Sequence, residues 1–267
     1  MSTAGSGNIS TWTTRIETAI GAIDRCCVDR ALVLDSTEST MDAAVNAADN
    51  SPCMLVVAME QNAGRGQRGR GWHDGDRKTL PCTFMIDAGG LAAPMLSAIV
   101  GCAVHETIER HAPSSNTVLI KWPNDIVIRD EHGEHDRKIA GILIEQSKHL
   151  ASIGIGINCT QCSTDWGDEL RDRAVSLNEL GAPVSRLDLL CTLIERLSHW
   201  LNARDPEMVR EYWAKHDAMV GTTRAFTSNN KRIVGIVERI DPLGSIVVRN
   251  AEGTVALPIA QTRHERL

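Results

Sequence analysis

Between residues 60 and 72 the chain reads Glu-Gln-Asn-Ala-Gly-Arg-Gly-Gln-Arg-Gly-Arg-Gly-Trp, with Gly64, Gly66, Gly69 and Gly71 interleaved with Arg65, Arg68 and Arg70. Glycine at that density lets the backbone bend sharply. The apolar run just before it, residues 52–59 (Pro-Cys-Met-Leu-Val-Val-Ala-Met), predicts a buried strand. A glycine- and arginine-rich turn leaving a core strand suits a closing anion clamp. Glycine brings backbone N–H groups close to a ligand. Arginine supplies planar donors matched to phosphate or carboxylate oxygens. The pattern is neither a Walker loop, since no Gly-Lys-Ser/Thr follows, nor a dinucleotide fingerprint.

Charge narrows the ligand. The chain of 267 residues carries 28 Lys and Arg against 34 Asp and Glu, a net charge of −6, so no global basic field is present for nucleic acid or an anionic membrane. A local positive loop on an acidic protein argues for a small anionic ligand. An RNA-binding module built on the Arg-Gly run is the competing class, and the same acidity and few aromatics speak against it. Eight cysteines are scattered, several of them in apolar runs where cysteine acts as a small hydrophobe. Cys159-Thr-Gln-Cys162 is a lone CxxC pair, and His132 and His135 lie in a polar loop, so no metal site is expected. With no signal peptide and no spanning apolar run, the expected setting is cytoplasmic, with reduced thiols.

Taken in order, residues 1–10 are Ser/Gly-rich and expected to be disordered, and 11–24 carry apolar residues at helical spacing. A short strand at 31–34 runs into the hydroxyl cluster Ser36-Thr-Glu-Ser-Thr40, which precedes an alanine-rich helix over 41–48. Ser39 and Asp42 have capping-box spacing. Strands are predicted at 80–87, 118–121, 126–128, 138–146 and 151–158, a core-facing helix at 94–108, and helices at 187–201 and 206–213, with Asp205 and Pro206 opening the last. Pro123 turns the chain sharply after Lys121. The short connections between 118 and 158 imply antiparallel pairing. Gly141, Gly154 and Gly156 inside strands mark close approach of a ligand or another backbone. From 221 onward, four short strands (223–226, 233–240, 245–248, 254–257) predict a small β-barrel.

Four stretches in this order, Gln61-Asn-Ala-Gly-Arg-Gly-Gln-Arg-Gly-Arg-Gly-Trp72, Lys121-Trp-Pro-Asn-Asp125, Arg137-Lys-Ile-Ala-Gly-Ile-Leu-Ile-Glu145 and Gly154-Ile-Gly-Ile-Asn158, resemble the biotin–protein ligases, also called biotin–[acetyl-CoA-carboxylase] ligases. The resemblance implies an α+β fold: a central mixed β-sheet backed by helices, akin to class II aminoacyl-tRNA synthetases, with a small C-terminal SH3-like β-barrel. It divides the chain into an N-terminal tail and helix (1–30), a catalytic unit (31–218) and the C-terminal unit (219–267). It implies that biotin and ATP, with Mg2+, give biotinyl-5′-AMP. The biotin then passes to a lysine of a biotin carboxyl carrier protein domain. A lipoate–protein ligase on the same scaffold is the alternative. The regulatory branch carries a winged helix-turn-helix ahead of the catalytic part, and thirty residues are too few for one, so a ligase without repressor function is expected. The same reading expects a monomer or homodimer and no nucleic-acid partner.

Carried onto this chain, the resemblance implies that Lys121 bridges the biotin carboxylate and the α-phosphate, with Arg65 beside it. A carboxylate attacking a phosphate needs cations at the junction of the two anions. Ser36, Thr37, Glu38, Gln61 and Gly64 are expected at the polar end of the biotin pocket, and Gly141 and Gly154 along its ring system. The adenylate side is expected to draw on Gly66, Gln67, Arg68, Arg70, Trp72, Asn124, Lys138, Asn158 and Ala174. Three departures stand out. Gln67 replaces an arginine that helps many members retain the adenylate, which predicts faster leakage of biotinyl-AMP, slowed by Gln67→Arg. Glu38 and Ser39 replace polar amides. Ala174 stands where some members place a tryptophan over adenine.

Overall fold

The computed structural model describes residues 8–48, 53–66, 69, 71–72, 76–130, 136–147 and 149–265. Seven strands form one sheet in the order β1 (Arg30–Thr37), β2 (Met54–Gln61), β5 (Thr79–Asp87), β9 (Leu150–Asn158), β8 (Asp136–Ser147), β7 (Asp125–Arg129), β6 (Thr117–Lys121). β1 runs parallel to β2 and every later pair is antiparallel, so the sheet is mixed, as expected. The short connections after residue 117 explain this: a chain that turns within a few residues can only double back. The glycine-rich run is not loop throughout. Gly64–Arg65 (β3) and Gly71–Trp72 (β4) pair as a two-residue antiparallel ladder.

Strand periodicity of two decides what each face of the sheet does. On one face Leu55, Val57, Cys82, Phe84, Ile153, Ile155 and Ile157 join the main core, beneath α3 (Ala93–His111) and α4 (Arg186–Ala203). On the other face Met54, Val56 and Met85 pack with Ala44 of α2 (Thr40–Ala47) in a separate, smaller cluster. The Gly-Ile-Gly-Ile run of β9 therefore sends its isoleucines into the core and leaves Gly154 and Gly156 on the α2 face. Eleven residues of α3 are buried, consistent with a helix between the sheet and other helices. α1 (Ile9–Ala22) lies over β1 and α4, and α5 (Pro206–His216) against α3. The predicted caps are present. Ser39 Oγ accepts from the amide of Asp42 at 3.5 Å, and Asp205 accepts from Glu207 at 2.9 Å and Met208 at 3.3 Å.

A second, five-stranded antiparallel sheet follows in the order β13 (Gly253–Pro258), β12 (Ser245–Asn250), β11 (Lys231–Ile240), β10 (Thr223–Ser228), β14 (Thr262–Glu265). Four of its strands were legible; β14, only four residues of which one is buried, was not. This sheet shares the main core. Phe226, Val237, Ile246 and Val248 are continuous with it, and the Phe226 and Trp122 rings are 6.4 Å apart between centroids. No helix among the described residues is long and apolar enough to cross a membrane.

Candidate functional site

A cavity of about 50 Å³ opens on the α2 face of the large sheet, where β2, β5, β8 and β9 meet the N-terminus of α2. Its floor is glycine. A Cβ placed on Gly154 would lie 2.8 Å from Met41 Sδ, and one on Gly156 would lie 2.4 Å from Cε2 of Trp72. On Gly141 it would meet Lys138 Nζ at 2.8 Å and the Trp72 ring at 2.9 Å. Any larger residue at these positions would fill the space or push the indole away. The expectation of close approach at Gly141, Gly154 and Gly156 thus acquires its partners.

The polar wall comes from three directions. From β2, Gln61 is buried, and its Oε1 accepts from the backbone N–H of Thr40 at 2.8 Å and from the Thr40 hydroxyl at 3.1 Å. From β3, Arg65 reaches the wall while its Nη2 pairs with Asp42 Oδ1 at 2.6 Å. From β8, Lys138 Nζ lies 2.6 Å from Asp125 Oδ1 and 5.4 Å from the centroid of Trp72, a cation held over an indole face. Asn124 borders the cavity, with its Nδ2 on the Ile142 carbonyl at 2.6 Å. Trp72 Nε1 is buried with no hydrogen-bond partner.

The backbone of Lys138 is pinned on both sides. Its N–H donates to Arg173 O at 2.7 Å, and its carbonyl accepts from Val175 N at 3.0 Å and Asn158 Nδ2 at 3.2 Å. Asn158 also donates to Val175 O at 3.0 Å, and Ala174 bridges to Lys138 in parallel. Asn158 and Ala174, both buried, therefore stand behind Lys138 rather than on the cavity wall.

Lys121, expected at the junction of the anions, is not on this wall. It ends β6, two strands from β8, and its Nζ is 3.9 Å from Asp136 Oδ2. Arg129 (2.9 Å) and Arg224 (3.3 Å) pair with the same carboxylate, which is only 7% exposed. Burial pushes the Lys121 ammonium below the usual lysine value, with Arg224 adding repulsion. The turn that follows Lys121 does reach the cavity, through Asn124, but the Lys121 ammonium itself lies by Asp136.

Ser36, Thr37 and Glu38 do not line the cavity either. The hydroxyl of Ser36 accepts from Asn62 Nδ2 at 3.0 Å, and the carbonyls of Thr37 and Glu38 accept from the amides of Asn62 and Ala63 at 2.9 Å each. They tie down the start of the glycine-rich run, while the next two residues, Ser39 and Thr40, take the wall. Gly64 sits behind the wall, where a Cβ would meet Gln61 Nε2 at 2.5 Å. Gly66 lines the cavity, and Gln67, Arg68 and Arg70 lie outside the described residues. Met41, Thr83 and Asp125 were not singled out, and Asp42 only as part of a helix cap. Asp125 stood inside a quoted motif, and an acid beside a functional lysine is the signal that would have found it.

Cys159 and Cys162 join no group with metal-ligand spacing among the described residues, and His132 and His135 lie outside them. The group that has such spacing is His105, Glu109 and His216, in which both ring nitrogens of His105 are engaged, by Tyr212 at 2.8 Å and Val118 O at 3.0 Å.

Residues 31–158 match the sequence pattern of the biotin/lipoate A/B protein ligase family. The bifunctional ligase/repressor BirA of Bacillus spizizenii is 31% identical over 235 residues, covering 83% of this chain and 69% of that protein. The biotin–[acetyl-CoA-carboxylase] ligase of Mycobacterium tuberculosis is 28% identical over 241 residues, 86% of each chain. In structure, the biotin protein ligase from Aquifex aeolicus in complex with biotin and ATP superposes with a TM-score of 0.75, at 24% identity, over 89% of this chain and 99% of that one.

Proposed function

The chain belongs to the biotin/lipoate A/B protein ligase family, and from that membership we propose that it is a biotin–protein ligase, joining biotin to a lysine of a carboxylase carrier domain at the expense of MgATP. In the first step a carboxylate oxygen of biotin attacks the α-phosphorus of ATP. The bond to the β-phosphate oxygen breaks, and biotinyl-5′-AMP and pyrophosphate result. In the second, the carrier lysine's neutral amine attacks the acyl carbon, the amide forms, and AMP leaves with the bonding pair.

The observation that carries the reading is the convergence of Lys138, Arg65 and Gln61 on one glycine-floored cavity. Two anions that must approach each other need fixed positive charge at their junction. Lys138 is the cation best placed for it. Its backbone is held by three hydrogen bonds, and its ammonium lies between a carboxylate and an indole face. We assign to Lys138 the bridging role expected of Lys121. Asp125 orients the ammonium, Arg65 supplies the second cation, and Asn158 fixes the backbone of Lys138. Gly141, Gly154 and Gly156 leave room for a bicyclic ring system. The Trp72 indole stands directly against Gly156 and Gly141, so a ring system lying on that floor would have to displace it. Arg65, Gly66 and Trp72, which line the cavity, then help to keep water from the mixed anhydride. Residues 31–218 are taken as the ligase unit and 219–267 as a smaller unit docked on it, a division supported by the separate C-terminal sheet.

The test is intact-mass spectrometry of a purified apo carrier domain incubated with the protein, MgATP and biotin. Wild type adds one biotinyl group, Lys138→Ala adds it at least about a hundredfold more slowly, and Lys121→Ala stays near the wild-type rate. Transfer of lipoate or octanoate in place of biotin would move the protein to the lipoate branch of the family.

A further inference from the structure

Two cations and no carboxylate line the cavity: among the described residues, Arg65 and Lys138 are the charged ones on its wall. Each is held by an aspartate that stands off the wall, Lys138 by Asp125 and Arg65 by Asp42, both at 2.6 Å. Asp42 is the third residue of α2, and Ser39 Oγ accepts from its amide at 3.5 Å. At that spacing an acidic side chain can reach back to the N–H of the cap residue. Among the described residues the Ser39 N–H makes no such bond, and the Asp42 carboxylate accepts from Arg65 Nη2 instead. Arg65 needs a tether of this kind. Its backbone is fixed, because it pairs with Gly71 and follows Gly64, where a Cβ would meet Trp72 O at 2.8 Å. Its side chain is long and 46% exposed, so an untethered guanidinium would sample water as well as the cavity. With Asp42 on Nη2, the Nε and Nη1 donors of the same rigid plane have no partner among the described residues. Arg77, beyond the glycine-rich run, is by contrast paired with two carboxylates, Asp35 at 2.9 Å and Glu60 at 3.3 Å.

We infer that Asp42 is a positioning residue: it holds the Arg65 guanidinium at the cavity before substrate arrives and leaves Nε and Nη1 for the reacting carboxylate or phosphate. This rests on the ligase reading above, in which Arg65 is the second cation, and adds the residue that prepares it. A cation already in place costs no reorganisation when negative charge develops, so its benefit falls on the chemical step. Asp42 is suited to the task because the first turn of α2 fixes its backbone, while Ser39, Thr40 and Met41 beside it form part of the cavity wall.

The experiment measures pyrophosphate release with biotin and MgATP by wild type, Asp42→Asn, Asp42→Glu, Arg65→Met and the double variant of Arg65→Met with Asp42→Asn. Asp42→Asn keeps the size of the side chain and removes its charge. It is expected to lower kcat about fivefold, the upper end for a half-exposed ion pair, with KM for biotin within about twofold of wild type. Asp42→Glu, which keeps the carboxylate, recovers most of the loss. In the Arg65→Met background Asp42→Asn has no further effect, because the group it acts through is gone. An unchanged melting temperature for Asp42→Asn shows that the fold is intact. Phenylglyoxal labelling of Arg65, followed by peptide mass spectrometry, reads the tether without turnover: Arg65 labels faster in Asp42→Asn than in wild type. Equal losses from Asp42→Asn in both backgrounds would mean a structural role in α2 only and overturn the inference. So would an asparagine variant with the kcat and the labelling rate of wild type, and in both cases the ligase reading would stand. A wild type inactive with biotin would overturn the ligase reading, and this inference with it.

Discussion

Lys138 and Lys121 lie two strands apart in one sheet, and each is paired with an aspartate, yet their surroundings ask opposite things of them. Lys138 meets a single carboxylate, Asp125, and otherwise faces an indole and a glycine floor. Lys121 is the third cation around one buried carboxylate, Asp136, where Arg129 and Arg224 hold closer positions. One cation is left with capacity to meet an incoming anion. The other is part of a closed charge cluster that joins the large sheet to β10 of the small one. In that cluster Arg129 also donates to the Ala218 carbonyl at 2.6 Å, and Ala218 N donates to Ile120 O at 2.9 Å. A lysine's chemistry here is decided by how many partners surround its counter-ion.

The comparison breaks most visibly at the two aspartates. Asp136→Ala leaves three cations around a site from which their shared carboxylate has gone. Uncompensated buried charge of that kind costs about 3–5 kcal/mol. Urea unfolding followed by tryptophan fluorescence should show a loss of that size, while Asp125→Ala, whose carboxylate is 31% exposed, should lose far less. Equal losses would mean that the two clusters do not differ in the way described. In activity the order reverses. Removing one preorganised cation from developing negative charge costs about 10²–10³ in rate. Pyrophosphate release should fall by that factor in Lys138→Ala, whereas Lys121→Ala should change it less than about tenfold at a temperature where it remains folded. A larger loss in Lys121→Ala would restore the assignment suggested by the sequence.

Much of the fold was legible because it rests on local rules. The isoleucine–glycine alternation of β9, the apolar run of β2, the caps at Ser39 and Asp205, and the short connections that force antiparallel pairing are all written within a few residues. β3, β4 and β14 were missed because strands of two to four residues leave too short a pattern to read. In the site, Gln61, Arg65, Trp72, Gly141 and Gly154, which the motifs singled out for the biotin and adenylate sides, all line one cavity. The choice between Lys121 and Lys138 depended on a long-range fact, which of the two ammonium groups reaches the cavity and which reaches Asp136, and no spacing records it. Ser36 and Thr37 lie outside the cavity lining: the Ser36 hydroxyl and the Thr37 carbonyl hold Asn62, and α2 begins three residues later.

A smaller effect sharpens the role of the glycine floor. Gly156→Ala inserts a methyl where Trp72 already stands, at 2.4 Å from Cε2, so the indole must shift. Overpacking of this kind costs about 1–3 kcal/mol. Because the added methyl stands on the cavity floor where the ring system is to lie, the effect should appear chiefly as a Kd for biotin raised about tenfold or more, the equivalent of the lower part of that range. Isothermal titration of biotin against the variant measures it directly. An unchanged affinity would mean that Trp72 vacates Gly156 before the acid binds.

The smallest expected effect concerns protons. Burial, with Arg224 beside it, lowers the Lys121 pKa below its ordinary 10.5 in the folded state. In the unfolded chain the ammonium returns to that ordinary value, so over the alkaline interval just below 10.5 the unfolded state binds more protons than the folded one. Stability with respect to this group therefore rises with pH through the interval and is lower on its acid side, where both states are charged and the folded one bears the cost of burial. Lys121→Met keeps an unbranched side chain of similar length and removes the titration. The difference in unfolding free energy between wild type and Lys121→Met, measured from pH 8 upward, should drift in favour of wild type as 10.5 is approached. A flat difference for Lys121→Met would place its ammonium in water rather than in the cluster, and would remove the contrast between the two lysines.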